Sequence, residues 1–169
     1  VETPNADQKK YIQEMYESNQ RMVDLVNSLL NVSRIELGTF SVEPVPTNII
    51  DMAQSVIKEQ MPTLNLRKQV LTTHFADNIP LIPVDIKLFR MVLQNLLSNA
   101  IKYTPEGGHI EFEITMGVRK GTLSIRISDS GCGIPEHQKD RIFSKLFRAD
   151  NVRAQNVDGT GLGLYIVKS

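Results

Sequence analysis

Cysteine is almost missing. Cys132 is the one thiol in 169 residues, so no internal disulfide can form, and a reducing compartment fits best. An excess of either charge is missing too. Lysine plus arginine and aspartate plus glutamate number 19 each, which gives no support to the clustered basic surface that nucleic-acid binding needs. No apolar run approaches the length of a bilayer-crossing helix, and the stretch from Val1 has no signal-peptide pattern. Internal repeats and low-complexity segments are absent, as is a G-x-x-x-x-G-K-[ST] phosphate loop. The expectation is a soluble, cytoplasmic piece without nucleic-acid or membrane contacts of its own, whose parent protein is free to carry a membrane anchor elsewhere. The length suffices for one core-bearing domain plus an appendage.

What the chain does have is a polar row inside an apolar helix. In the stretch from Gln94 to Tyr103, residues Asn95, Asn99 and Lys102 share one helical face at i, i+4 and i+7. Leu93, Leu96, Leu97, Ala100 and Ile101 make the remainder apolar. Half-buried polar groups are costly unless a partner meets them. Two glycine clusters suggest the partner: Asp129-Ser130-Gly131-Cys132-Gly133-Ile134-Pro135 and Asp158-Gly159-Thr160-Gly161-Leu162-Gly163-Leu164. Glycine brings bare main chain close to a ligand, and exposed N–H groups leading into a helix suit anions such as phosphate.

Asn5 and Gln8 form a capping pair for a helix running to about Leu37. Ile12, Met15, Met22, Val26 and Leu29 follow 3–4 spacing, with Asn19 interrupting the seam. Leu25, Leu30, Val32 and Ile35 widen the stripe, which predicts a helix of a four-helix bundle rather than one packed on its own domain. Gly38 ends the helix, and Pro44 and Pro46 read as linker. The chain therefore divides into residues 1–39 and 40–169. In the second part Thr47 or Asn48 caps a helix through Met61, with Ile49, Ile50, Ala53, Val56 and Ile57 inward and Pro62 stopping it. Val70 to Phe75 is a strand, and Asp85 opens the asparagine-bearing helix, which ends before Pro105. Ile110, Phe112, Ile114 and Met116 alternate, as do Leu123, Ile125 and Ile127, with a turn from Gly117 to Gly121 making them a hairpin. The fold class is α+β, a two-layer α/β sandwich with helices over one face of a mixed sheet.

The polar helix and the two glycine clusters, in this order and with Ile142-Phe143-Ser144-Lys145-Leu146-Phe147-Arg148 between the clusters, resemble the N, G1, F and G2 boxes of sensor histidine kinases. The resemblance covers nearly the whole chain. It implies the Bergerat ATP-binding fold of the superfamily that also holds gyrase-type and chaperone ATPases. It makes residues 1–39 the second helix of a dimerisation and phosphotransfer hairpin, with a homodimer forming through residues 5–37.

Roles follow from chemistry and resemblance together. A carboxylate, expected to be buried, accepts the exocyclic N–H of adenine. Asp129 has that role by resemblance, with Gly131 and Gly133 against the base and Ile134 beside them; the plain alternative is an Asx turn after a strand. Asn99 ligates Mg²⁺ and meets phosphate, with Asn95 one turn earlier reaching the same ion. Lys102 neutralises phosphate charge and Tyr103 stands near the nucleoside; otherwise they are a helix-terminal cation and an aromatic anchor. Arg148 is placed to contact the γ-phosphate at transfer. Phe143 and Phe147, i and i+4 on a helix starting at Pro135, pack as anchors of a lid spanning Asp150 to Asp158. Gly159, Thr160, Gly161, Leu162, Gly163 and Leu164 close over the triphosphate. Cys132 is a small filler or a covalent handle.

Related ATPases of the superfamily place a glutamate where Asn95 stands. An asparagine cannot take a proton from water, so transfer to an acceptor is favoured over hydrolysis. His74, His109 and His137 lack the acceptor pattern of an exposed bundle helix followed by an acidic residue. The acceptor histidine is therefore expected upstream of Val1. The family's last helix and closing strands are expected to continue past Ser169. The expected activity is Mg-ATP-dependent phosphorylation of that histidine, with a response regulator as downstream partner. The alternatives are a non-catalytic, nucleotide-gated dimerisation module, and an ATPase or serine kinase of the same superfamily.

Overall fold

A computed structural model describes residues 5–39, 41–119, 121–154 and 159–169. Contacts divide the chain into a unit up to residue 40 and a second from 41 onward. The first unit is one helix, α1 (Ala6–Glu36). Asn5 Oδ1 accepts from the Gln8 amide at 2.8 Å and Gln8 Oε1 accepts from the Asn5 amide at 2.9 Å, a complete capping box. Gly38 closes the other end at φ +63°, where a Cβ would be strained. Tyr11, Ile12, Met15, Met22, Val26 and Leu29 are exposed along the helix.

The second unit is a layer of helices on a mixed sheet. Helices α2 (Ile49–Leu66) and α3 (Ile86–Tyr103) cover strands β2 (Val70–Phe75), β4 (His109–Met116) and β5 (Leu123–Asp129). The order is β2-β4-β5, with β2 parallel and β5 antiparallel to the central β4. Alternation along β4 sends Ile110, Phe112 and Ile114 inward, all under 2% exposed. They meet Met52, Ala53 and Val56 of α2 and Leu93, Leu97 and Ile101 of α3 in one core. Burying each of these large side chains contributes about 1.5–3 kcal/mol. Phe75 adds an edge-to-face contact with Phe112, their ring centroids 5.5 Å apart.

Three elements depart from the sequence reading. Residues 44–46, read as linker, contribute to a short strand, β1 (Val45–Thr47), paired antiparallel with β3 (Ile82–Val84). Pro46 stands opposite Pro83. That pair falls at a position of the ladder where neither residue donates, so two prolines are tolerated. Pro62 does not stop α2, which runs one more turn to Leu66. Leu64 in that turn is 1% exposed, and its burial together with the resumed helix bonds offsets the roughly 3 kcal/mol cost of an interior proline. The helix expected from Pro135 is a 3₁₀ segment (Glu136–Arg141) followed by turns, so Phe143 and Phe147 are not one helical turn apart. Leu146 between them has φ +58°, a conformation no helix contains.

Asp85 starts α3 as predicted. Its Oδ1 accepts from the Lys87 and Leu88 amides, each at 3.0 Å, and its Oδ2 from the Glu43 amide at 3.1 Å. The bond from Leu88, then that from Glu43, holds the carboxyl below its ordinary value of 3.8. A depressed carboxylate gives stability that is present above its unfolded-state value and is lost as pH falls through the folded one. Thermal unfolding of wild type should therefore lose stability more steeply from roughly pH 5 downward than Asp85→Asn, whose carboxamide does not titrate. Superimposable pH profiles would refute the cap.

Candidate functional site

The C-terminal half of α3 is where main chain from three directions meets. Its last carbonyls have no helical partners, and side chains supply them. Gln69 Nε2 donates to Ile101 O at 2.9 Å and Thr104 O at 2.7 Å, while Arg67 Nη2 donates to Thr104 O at 2.8 Å. Gln69 and Thr104 are both buried. Helix α3 therefore ends at a fixed place, with Tyr103 on the last turn.

The turn after β5 packs on that end. A Cβ at Gly131 would lie 2.5 Å from Tyr103 O, so only glycine lets this turn approach. Asp129 closes an Asx turn, its Oδ1 accepting from Gly131 N at 2.9 Å. Among the described residues its second oxygen has no partner. The carboxylate is exposed rather than buried, because it ends the outer strand of the sheet and stands at a cavity rim. Gly133 has φ +63°, which turns the chain back toward the 3₁₀ segment.

The second glycine cluster meets α3 from another side. A Cβ at Gly163 would stand 2.7 Å from Asn95 Oδ1, and one at Gly159 would stand 2.2 Å from Lys102 Nζ. Asn95 Nδ2 donates back to Met91 O at 3.0 Å, which leaves its Oδ1 facing Gly163. Gly161, at φ +69°, lies against the main chain of Leu146 and Phe147. Thr160 Oγ1 accepts from Leu162 N at 3.3 Å, and Leu162 is 1% exposed. Helix α5 (Gly163–Lys168) follows.

Between these parts lies a cavity of about 280 Å³. Of the predicted residues, Asn99, Tyr103, Asp129, Gly133, Ile134, Arg148 and Leu164 line it. Asn95, Lys102, Gly131, Gly159, Thr160, Gly161, Leu162 and Gly163 do not line it; they hold its surroundings as just described. Burial pushes the Tyr103 phenol up from its ordinary range against the opposing pull of Arg148, so it is a neutral donor at pH 7. Lys102 Nζ stands 5.0 Å from the Tyr103 ring centre.

The remaining walls are apolar: Leu96, Ala100, Ile127, Ile142, Phe147, Ala149 and Val152, with Cys132 exposed beside them. Sequence reasoning assigned none of these to the ligand, yet part of the signal was present. Leu96, Asn99, Ala100 and Tyr103 are i, i+3, i+4 and i+7, one face of α3. Ile127 is two residues before Asp129 and shares its strand face. Ala149 and Val152 had no such signal, since the segment from Asp150 was read as an aperiodic lid. It begins instead as a short helix, α4 (Asp150–Ala154), with Val152 7% exposed. The rest of that lid, including Asp158, lies outside the described residues.

The histidines stand apart from the cavity wall. His74 Nε2 is 3.3 Å from Glu111 Oε1 on the sheet's open face, the His109 amide donates to Ser130 Oγ at 2.8 Å, and His137 is exposed on the 3₁₀ segment.

Residues 84–169 match the family described as histidine kinase-, DNA gyrase B-, and HSP90-like ATPase. The sensor histidine kinase WalK of Bacillus subtilis (strain 168) is 32% identical over 149 residues, which cover 88% of this chain and 24% of that protein. The chain thus spans about a quarter of the length of that relative. The catalytic domain of histidine kinase ThkA superposes with a TM-score of 0.62 at 28% identity, covering 75% of this chain and 78% of that one. Full-length ShkA, at 24% identity, shares the fold over 99% of this chain and 34% of its own, with a TM-score of 0.81. No described helix is long and apolar enough to cross a membrane. The chain belongs to the histidine kinase-, gyrase B- and HSP90-like ATPase family, and within it to the ATP-binding catalytic domains of sensor histidine kinases.

Proposed function

We propose that this chain is the catalytic part of a two-component sensor kinase, which binds Mg-ATP and passes the γ-phosphoryl group to a histidine on another segment. One observation carries the reading: a carboxylate with one oxygen to spare stands on an apolar cavity that also holds an amide and a guanidinium. A flat aromatic base suits the apolar walls, with its exocyclic amine donating to Asp129. Asn99, Arg148 and Lys102 then serve the phosphates. ShkA was solved in complex with AMPPNP, which supports a nucleotide in this fold.

The donor set fits Mg²⁺. Among the described residues no cluster of three His, Cys, Asp or Glu side chains could hold a metal ion, and Mg²⁺ accepts a site of few protein oxygens completed by phosphates and water. Asn99 would hold it, with Asn95 beside it. The ion supplies charge neutralisation on the phosphates. Transfer breaks the bond between the γ-phosphorus and its bridging oxygen and forms one to an imidazole nitrogen, which loses its proton; ADP leaves. Asn95 cannot act as a base toward water, so hydrolysis stays slow and the phosphoryl group waits for the imidazole.

Residues 1–39 are in this reading the second helix of the hairpin that carries the acceptor, and the exposed apolar stripe of α1 supports a homodimer through residues 5–37. A response regulator is the downstream partner; ThkA was solved in complex with the response regulator TrrA.

Three outcomes are expected. Asp129→Asn should weaken ATP binding by about 2–3 kcal/mol, the worth of a charge-assisted hydrogen bond; unchanged affinity by calorimetry would remove the adenine assignment. Gly161→Ala places a Cβ 2.8 Å from the Leu146 carbonyl carbon at a positive φ. It should cost at least about 1–2 kcal/mol of nucleotide affinity while leaving the melting temperature of the sheet nearly unchanged. Labelled ATP given with a separate acceptor hairpin should yield acid-labile phosphohistidine and little free phosphate. Steady phosphate release or phosphoserine would favour the ATPase or serine-kinase reading, and binding without any transfer the nucleotide-gated module.

A further inference from the structure

The cavity is walled by two segments that no strand or long helix holds together: the turn of Cys132, Gly133 and Ile134, and the stretch of Ala149 and Val152. Asn151 spans them. Its Nδ2 donates to Gly133 O at 3.0 Å and to Cys132 O at 3.3 Å. The position of Asn151 is fixed in turn by a buried carboxamide 13 residues earlier in the chain: Gln138 is 5% exposed, its Nε2 donates to Asp150 Oδ2, and its Oε1 accepts from the Asp150 amide at 3.1 Å. A buried amide that meets both its donor and its acceptor with one residue is a register device, because a shift of α4 by one position would break both bonds at once.

We propose that Asn151, locked in place by the Gln138–Asp150 pair, is the positioning residue that sets the spacing of the two cavity walls and couples the base-binding turn to the start of the lid. The coupling to nucleotide rests on the function proposed above; the strap itself does not. Three features single out donation rather than bulk. Both acceptors are main-chain carbonyls of consecutive residues, which no other donor serves among the described residues. Asn151 Oδ1 is buried without a hydrogen-bond partner among the described residues, so its described hydrogen bonds are all made through its NH₂. Gly133, one of the two acceptors, has φ +63° with nothing within 4 Å of where a Cβ would stand, so beyond the contact of Gly131 on Tyr103 no packing holds the turn at this position, and the strap does. A mobile turn would present the base with many conformations, and holding it beforehand reduces the ordering that binding requires.

Two variants separate donor from filler. Asn151→Asp keeps size and shape but offers only acceptors, facing two carbonyls; Asn151→Ala removes both. In ligand-free protein, hydrogen exchange at the hydrogen-bonded Gln138, Asp150 and Val152 amides should accelerate about three- to thirtyfold in both variants, the expected effect of losing one or two neutral hydrogen bonds. Exchange in β4 should not change. Titration with AMPPNP and Mg²⁺ should then show affinity weakened by a similar factor in both. Wild-type exchange in Asn151→Asp would overturn the donor role, and faster exchange with unchanged AMPPNP affinity would overturn the coupling. If wild type itself fails to bind AMPPNP, the proposed function falls, while the exchange measurement still decides the strap.

Discussion

The end of α3 is the fixed point of the catalytic unit. A helix terminus inside a protein carries carbonyls that must find donors, and here Gln69 and Arg67 reach across from the segment after α2 to provide them. Because that end cannot move, main chain can be packed directly on it. Gly131 approaches the Tyr103 carbonyl more closely than any side chain would allow, and Gly163 and Gly159 come against the side-chain ends of Asn95 and Lys102. The site is thus a rigid helix with two turns pressed against it, and at Gly131, where the contact is with main chain, glycine is needed for want of space.

The same helix reconciles two demands. Leu93, Leu97 and Ile101 anchor it in the core at 3% exposure or less. An adjoining face, through Leu96, Asn99, Ala100 and Tyr103, opens to the cavity. The amide is carried beside the apolar anchor at no packing cost, since it meets the cavity instead of the core. Electrostatics follow the same division. The carboxylate stands at the end of β5, while Lys102 and Arg148 bear on Tyr103 from the helix and from the segment before α4. A ligand with a donor-bearing base and an anionic tail matches this polarity.

Around the fixed point the remaining walls are held by lighter means. Cations lie over rings, Arg141 on Phe147, Lys145 on Tyr165 and Lys168 on Phe143, at 4.8–5.7 Å. Such contacts contribute about 0.5–1 kcal/mol each at exposed sites, enough to bias a conformation and little enough to release it. Leu146 in a left-handed conformation stands in this segment and receives Gly161. A segment held this way can rearrange without unfolding the sheet, which rests on a separate core.

The sequence alone determined what local chemistry decides. Caps at Asn5, Asn48 and Asp85, alternation in β4 and β5, and the glycine end at Gly38 each depend on neighbours within a few residues, so they were legible. The i, i+4, i+7 polar row of Asn95, Asn99 and Lys102 and the two glycine clusters likewise pointed to a phosphate-type ligand, although of that row only Asn99 lines the cavity. What only the tertiary structure decided depends on residues far apart in the chain. Pro62 stays helical because Leu64 finds the core; Phe143 and Phe147 are not on one helix because Leu146 between them takes a positive φ where Gly161 packs against it; β1 exists only against β3. Asn151 acquires its bonds because Gln138 holds Asp150 from twelve residues away. Such pairings have no period to read, since each is set by the distance between elements and that distance exists only after folding.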